Sequence, residues 1–134
     1  MRKIKKIIIH CTATPCGQHI TVADIDRWHR ARGWSGIGYH YVIYTDGSVH
    51  PGRPIWKTGA HCAGHNRDSI GIVYAGGLAT DGTTPADTRT PAQRESLHIL
   101  VEQLLTQFPG ATVHGHNEFA VKACPCFDVR AEFA

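Results

Sequence analysis

Several features are missing from this 134-residue sequence, and each absence excludes a class of protein. No apolar run approaches the roughly 20 residues that a membrane-spanning helix needs, so we expect no membrane insertion. The formal charge of +3 falls short of the dense basic surface of nucleic-acid binding proteins, so no nucleic-acid partner is expected. Apolar residues make up 42% of the chain, which argues against disorder. There are no internal repeats, and the length predicts a single domain over residues 1–134.

The start of the sequence does not predict a secretory signal. The basic residues at the start are followed only by Ile7, Ile8 and Ile9 before His10, whereas a signal sequence needs an apolar region of about 7 to 15 residues. We therefore expect the protein to be cytoplasmic when it is made. The five cysteines are odd in number and irregularly spaced, so they cannot all pair within one chain, and the thiols are expected to be mostly reduced. A domain of this size is expected to be a monomer.

The apolar pattern predicts an α/β fold with a central mixed β-sheet flanked by helices. Strands are predicted at 4–10, 39–44, 69–74 and 111–116, and a turn at Asp46-Gly47 leads into a further short strand at Val49. A helix at 22–32 follows the N-cap residue Thr21. A second helix, ending near residue 108, follows Thr90 and has Pro91 at its first position.

Histidine is the unusual component, with ten residues alongside the five cysteines. Neutral imidazole and thiolate are the ligands that zinc prefers, and a catalytic zinc site usually takes three protein groups and leaves one position for water. His10 ends the first predicted strand, whereas His114 and His116 lie two residues apart, and therefore on one face, of the last. Cys124 and Cys126 follow shortly afterwards. Two imidazoles and a thiolate can thus lie together at one edge of the sheet. The spacing alone does not decide between His114 and His116, or between Cys124 and Cys126.

Five blocks of the sequence resemble the type 2 N-acetylmuramoyl-L-alanine amidases, especially the short phage lysozyme-type members. Animal peptidoglycan recognition proteins share this fold. The blocks are I-I-I-H-C-T-A-T-P, W-H-R-A-R-G-W, G-I-G-Y-H-Y-V-I-Y-T-D-G, G-x-H-x-x-G-x-N-x-x-S-I-G-I with a trailing G-G, and H-N-E-F-A-V-K-A-C-P. They run in the family's order from about residue 7 to 128.

The resemblance implies a role for particular residues. It implies a Zn²⁺ cofactor held by His10, His116 and Cys124. Cys124 is preferred to Cys126 because the eight-residue step from His116 is the family's spacing. The resemblance further implies catalytic roles for Tyr39, beside the metal, and for Lys122. Substrate-binding roles in the cleft are implied for His61 and Asn66.

The implied activity is zinc-dependent hydrolysis of the amide bond between N-acetylmuramic acid and L-alanine in peptidoglycan. The partner is the muropeptide stem, and a phage or prophage endolysin would act on the cell wall after release. One alternative is a non-catalytic peptidoglycan-binding module on the same fold, in which the ligand cysteine is typically replaced. Another is a structural zinc domain closed by a fourth ligand, for which Cys126 is the candidate.

The remaining histidines and cysteines are expected to have ordinary roles. Solvated or half-buried positions are predicted for His19, His29, His50, His65 and His98. Small buried apolar positions are predicted for Cys11, Cys16 and Cys62. Trp28 and Trp34 are expected to pack around the first helix.

Overall fold

The computed structural model describes residues 1–133, and its strands and helices form a mixed α/β fold. The strands are β1 (Lys6–Cys11), β2 (Thr14–Pro15), β3 (Tyr41–Ile43), β4 (Val49–Pro51), β5 (Ser69–Tyr74), β6 (Gly77–Leu78) and β7 (Thr112–Gly115). The helices are α1 (Val22–Ala31), α2 (Pro91–Gln107) and α3 (Val129–Glu132), with a 3₁₀ turn at His116–Glu118. The five-stranded main sheet has the order β4-β3-β5-β1-β7, and only β4 pairs antiparallel to its neighbour. The predicted fold class is confirmed.

The two faces of the sheet carry separate apolar clusters, because neighbouring residues of a strand point to opposite faces. Ile72 belongs to the cluster that includes Leu97 of α2, whereas Val73 packs in the cluster that includes Ile25 of α1. Helices therefore cover both faces. His10 is in register with Val73 across the parallel β1–β5 pair, so its side chain points to the face covered by α1.

The helix ends follow the predicted capping residues. The hydroxyls of Thr21 and Thr90 accept the backbone N–H groups of Asp24 and Gln93, and the side chains of those two residues accept the cap N–H groups in return. Pro91 opens α2, where its missing N–H costs nothing. Asp46-Gly47 forms the turn between β3 and β4, as predicted, and Gly47 has the positive φ that such a turn requires.

The last strand of the main sheet ends one residue earlier than predicted. β7 stops at Gly115 because the N–H of Gly115 donates to the Glu118 carboxylate at 2.7 Å, and His116 then begins the 3₁₀ turn. The expectation that His114 and His116 share one face of a strand is therefore wrong. The two-residue strands β2 and β6 and the four-residue α3 were not predicted, since elements this short show no periodicity.

Within residues 1–133, no helix combines the length and the apolar character that crossing a membrane requires.

A buried ion-pair cluster attaches the C-terminal helix to the loop before α2. The Arg89 side chain is 1% exposed and donates to Asp87 at 3.0 Å and to Glu132 at 2.7 Å. Its guanidinium also lies 3.4 Å from the ring centroid of Phe127. We call Arg89, Asp87, Glu132 and Phe127 the Arg89 clamp. Because Phe127 comes three residues after Cys124, the clamp also restrains the loop that carries this cysteine.

Arg89 and Arg94 both contact Asp87, but we expect their replacement to destabilise the protein by different amounts. Arg89→Met leaves two carboxylates without their buried partner, and we expect the free energy of unfolding to fall by about 3 kcal/mol. Arg94 also donates to Asp87, at 3.0 Å, but its side chain is 48% exposed, so Arg94→Met should cost less than about 1 kcal/mol. Urea denaturation followed by circular dichroism measures both values. Equal losses would contradict the structural role of the clamp.

Candidate metal centre and substrate cleft

The three side chains predicted as metal ligands lie together at one edge of the sheet. His10 is the fifth residue of β1, and His116 directly follows β7, whose Gly115 pairs with Ile9. This register brings the two imidazoles side by side, with 3.1 Å between their Nδ1 atoms. The sulfur of Cys124 lies 3.9 Å from Nδ1 of His10, and one donor atom from each residue falls within 4.8 Å of the others. We call His10, His116 and Cys124 the donor cluster.

The protonation of the donor cluster suits a zinc ion. Burial, reinforced by neighbouring positive groups, holds the pKa of His10 well below its usual value. The pKa of His116 is lowered in the same way, by burial and by the charge of Lys122. Interaction with the Cys11 thiol, helped by the Cys11 N–H that donates to the sulfur at 3.2 Å, lowers the pKa of Cys124. Neutral imidazoles and a readily formed thiolate are the states that bind zinc, so the residues present fit that ion.

Cys126 and His114 are the alternative ligands. Among residues 1–133, the donor cluster includes neither of them. The Cys126 thiol donates to the carbonyl of Gly77 at 3.3 Å, and burial raises its pKa to about 12. The two ring nitrogens of His114 contact Thr112 at 2.6 Å and Glu118 at 2.9 Å. Both side chains are thus engaged with other partners.

The two residues predicted as catalytic border the donor cluster. The ring of Tyr39 lies 5.1 Å from the ring of His10, centroid to centroid. Burial raises the pKa of Tyr39, so its phenol stays protonated at neutral pH and keeps an O–H to donate. The exposed Lys122 lies close enough for its charge to depress the pKa of both His10 and His116. Tyr39, Lys122 and His116 all line one cleft of about 440 Å³.

His61 and Asn66, predicted as substrate contacts, are on the wall of the same cleft. Burial lowers the pKa of His61 to about 3, so its ring is neutral. Nδ1 of His61 lies 2.8 Å from Nε2 of His10, and its Nε2 lies 3.2 Å from the hydroxyl of Ser69. The side-chain oxygen of Asn66 accepts the backbone N–H groups of His61 and Cys62, both at 2.9 Å. Contact of these two residues with substrate stays a prediction.

The cleft also contains residues that the sequence did not single out. They are His29, Arg32 and Trp34, together with Phe119, which comes three residues before Lys122. Trp34 contacts His29 of α1, as expected, but 37% of its surface is exposed. His29 is buried, and its Nδ1 accepts the N–H of Gly38 at 2.9 Å. The W-H-R-A-R-G-W segment carries three of these residues, but a sequence pattern does not show which side chains face a cleft.

The cleft is positively charged. The residues that line it include Arg32 and Lys122 but no aspartate or glutamate. The guanidinium of Arg32 lies 5.5 Å from the ring of Trp34, and among residues 1–133 no carboxylate forms an ion pair with it. Such a cleft attracts anionic groups.

The donor cluster of two neutral imidazoles and one cysteine lies at the carboxyl ends of parallel strands, and its member His116 lines the cleft. This arrangement defines an α/β protein with a candidate hydrolytic metal centre. Comparison with known proteins narrows this class. A family model described as N-acetylmuramoyl-L-alanine amidase matches residues 1–127. The chain belongs to that family.

Individual relatives agree with this membership. The endolysin of Escherichia phage T7 is 42% identical over 124 residues, which cover 92% of this chain and 82% of the phage protein. The amidase LysC from Clostridium intestinale has a similar structure, with a TM-score of 0.82, 30% identity, and coverage of 98% of this chain and 83% of LysC. Drosophila PGRP-LB superposes with a TM-score of 0.78 at 25% identity, covering 93% of this chain and 76% of its own. The fold is thus the one shared by these amidases and peptidoglycan recognition proteins.

Proposed function

We propose that this protein is a zinc-dependent amidase that hydrolyses the bond between the lactyl group of N-acetylmuramic acid and L-alanine in peptidoglycan. The observation that carries the proposal is the donor cluster of His10, His116 and Cys124 at the cleft of a chain from this family. Three protein donors leave a fourth position for water, which favours a catalytic over a purely structural metal. Cys126, the candidate fourth ligand, donates instead to the carbonyl of Gly77, and among residues 1–133 the donor cluster contains only these three residues.

The same relatives support a biological setting for this activity. Phage proteins named endolysins are among the most similar sequences, which supports lysis of the cell wall as the role of this protein. In this proposal residues 1–134 form a single catalytic domain that works as a monomer on the muropeptide stem. The protein is made in the cytoplasm and reaches the wall after release.

The chain's own groups can assist hydrolysis in distinct ways. When bound, zinc supplies a nucleophile generated from water at neutral pH and polarises the carbonyl group. The Tyr39 O–H and the Lys122 ammonium are available to donate hydrogen bonds to the oxyanion that develops on the substrate carbonyl. The ammonium of Lys122 also carries protons close to the donor cluster, which suits protonation of the leaving alanine nitrogen. His61 and Asn66 would form part of the wall that the peptide contacts.

The proposal predicts a specific product from purified peptidoglycan. Hydrolysis at the proposed bond releases peptides that begin with a free L-alanine amino group, whereas cleavage of the glycan releases new reducing ends. Labelling of free amino groups followed by mass spectrometry distinguishes the two products. We expect N-terminal alanine to accumulate with the zinc-loaded protein. Protein that has first been treated with a chelator should release none. Binding to peptidoglycan without this product would favour the non-catalytic module.

A matched pair of cysteine variants controls this experiment. Cys124→Ser removes a donor-cluster thiol, and we expect loss of both stoichiometric zinc and product. Cys126→Ser changes a thiol that bonds to Gly77, and both properties should remain. Zinc content is measured by elemental analysis of the purified variants. The proposed ligand set is wrong if the two variants retain equal amounts of zinc.

Tyr39 and Lys122 are expected to affect the rate without affecting the metal. Tyr39→Phe and Lys122→Met each remove one donor to the oxyanion, so turnover should fall on the order of 100-fold while zinc content is unchanged. Tyr41→Phe serves as a control because Tyr41 packs with the cluster on the opposite face of the sheet. Steady-state rates on purified peptidoglycan give the comparison. Unchanged turnover in both cleft variants would show that neither Tyr39 nor Lys122 takes part in catalysis.

Arg32 is expected to select for anionic stem peptides. A charge-assisted hydrogen bond contributes about 1.5 kcal/mol, so Arg32→Gln should raise KM about 10-fold for muropeptides with free carboxylates and leave kcat unchanged. Muropeptides whose carboxylates are amidated should show little difference between wild type and variant. Arg27→Gln, on α1 but paired with Asp24, is the control. If Arg32→Gln changes KM equally for both types of muropeptide, Arg32 does not interact with the substrate carboxylates.

A further inference from the structure

His61 connects a proposed metal ligand to the interior of the sheet. One of its ring nitrogens, Nδ1, lies 2.8 Å from Nε2 of His10, and the other lies 3.2 Å from the hydroxyl of Ser69. Ser69 is fully buried at the start of β5, and both histidine rings are buried. Both ring nitrogens of His61 are therefore engaged with protein atoms, and only ring carbons can face the cleft.

The contact between His61 and His10 determines which nitrogen of His10 carries a proton. A hydrogen bond between two ring nitrogens contains one proton, which belongs to one ring or the other. Nε2 of His10 points to His61, whereas Nδ1 points to the other members of the donor cluster, 3.1 Å from His116 and 3.9 Å from Cys124. His10 can bind a metal through Nδ1 only when its proton is on Nε2. His61 must then accept this proton at Nδ1 and donate its own N–H to Ser69.

The ring of His61 is held in position by its surroundings. A Cβ atom at Gly71 would lie 2.6 to 2.8 Å from three atoms of this ring, and one at Gly59 would lie 2.7 Å from it. The side chain of any other residue at either position would collide with the ring. On the loop side, Asn66 accepts the backbone N–H of His61 and fixes the start of the side chain. The ring thus has little freedom to turn towards a substrate.

We propose that His61 is a positioning residue, which holds His10 in the tautomer that presents Nδ1 to the metal, with Ser69 as the acceptor that completes the chain. This inference rests on the proposed metal site. Loss of such a partner behind a ligating histidine typically lowers metal affinity by 10- to 100-fold, because the ring is no longer fixed in tautomer and orientation. His61 therefore acts on the reaction through His10.

Two nearly isosteric variants separate this role from simple packing. In His61→Asn the side-chain oxygen occupies nearly the position of Nδ1 and can accept the proton of His10, whereas His61→Leu has the same shape but no acceptor. We expect the zinc dissociation constant, measured by competition with a chromophoric chelator, to stay within a few-fold of wild type for Asn. It should rise 10- to 100-fold for Leu. Equal affinities for the two variants would overturn the proposal, since packing alone treats them alike.

A measurement on the metal-free wild-type protein tests the tautomer directly. Long-range ¹H–¹⁵N correlation spectra distinguish protonated from unprotonated ring nitrogens, and we expect His10 to carry its proton on Nε2. Ser69→Ala, a small change inside the sheet, should shift His10 towards the Nδ1-protonated form. A proton on Nδ1 of His10 in the wild type would refute the inference even if zinc binds. Failure of the wild type to bind zinc would instead refute the proposed function, so the two failures are distinguishable.

Discussion

The parallel pairing of β1 with β7 is the constraint on which the candidate site depends. Ile9 pairs with Gly115, so the residues that follow each of them, His10 and His116, come together although they are 106 positions apart in the chain. The pairing is secured by the apolar run of β1, in which every residue from Ile7 to Cys11 is buried. A shift of register by one residue would turn His10 to the face covered by α2 and separate it from Tyr39.

The third member of the donor cluster depends on tertiary contacts, because it lies in an irregular loop. The hydroxyl of Tyr74, at the end of β5, donates to the carbonyl of Pro125 at 2.6 Å. From the other side, Arg89 holds the ring of Phe127. Cys124 therefore directly precedes a segment with two anchors, one from the sheet at Pro125 and one from the Arg89 clamp at Phe127. This explains how a loop without regular structure can deliver a sulfur atom to within 3.9 Å of His10.

The sequence was sufficient to predict the two long helices, α1 and α2, and most of the main sheet, because capping residues and apolar periodicity are local signals. Thr90 and Pro91 mark the start of α2 correctly, and residues 69–74 form β5 as predicted. The geometry of the candidate site depended on interactions that are not local. The turn at His116 depends on Glu118 reaching back to Gly115, and the orientation of Cys126 depends on the distant carbonyl of Gly77. Arg32 was missed because only the folded chain shows that it faces a cleft without carboxylates.

In the segment from residue 59 to 71, the contacts of the side chains differ from those that the resemblance implies. The resemblance assigns His61 and Asn66 to the substrate, yet the described contacts of His61 point inwards, to His10 and Ser69. Gly71 is at a position in a buried strand where glycine normally weakens a sheet, and the ring of His61 occupies the space that a Cβ would need. Much of the G-x-H-x-x-G-x-N-x-x-S-I-G-I block can thus be accounted for by the requirements of one imidazole. These are backbone room at Gly59 and Gly71, an asparagine that fixes the loop, and a serine behind the ring. In the proposed function, a block that resembles a substrate-binding motif supports a candidate metal ligand.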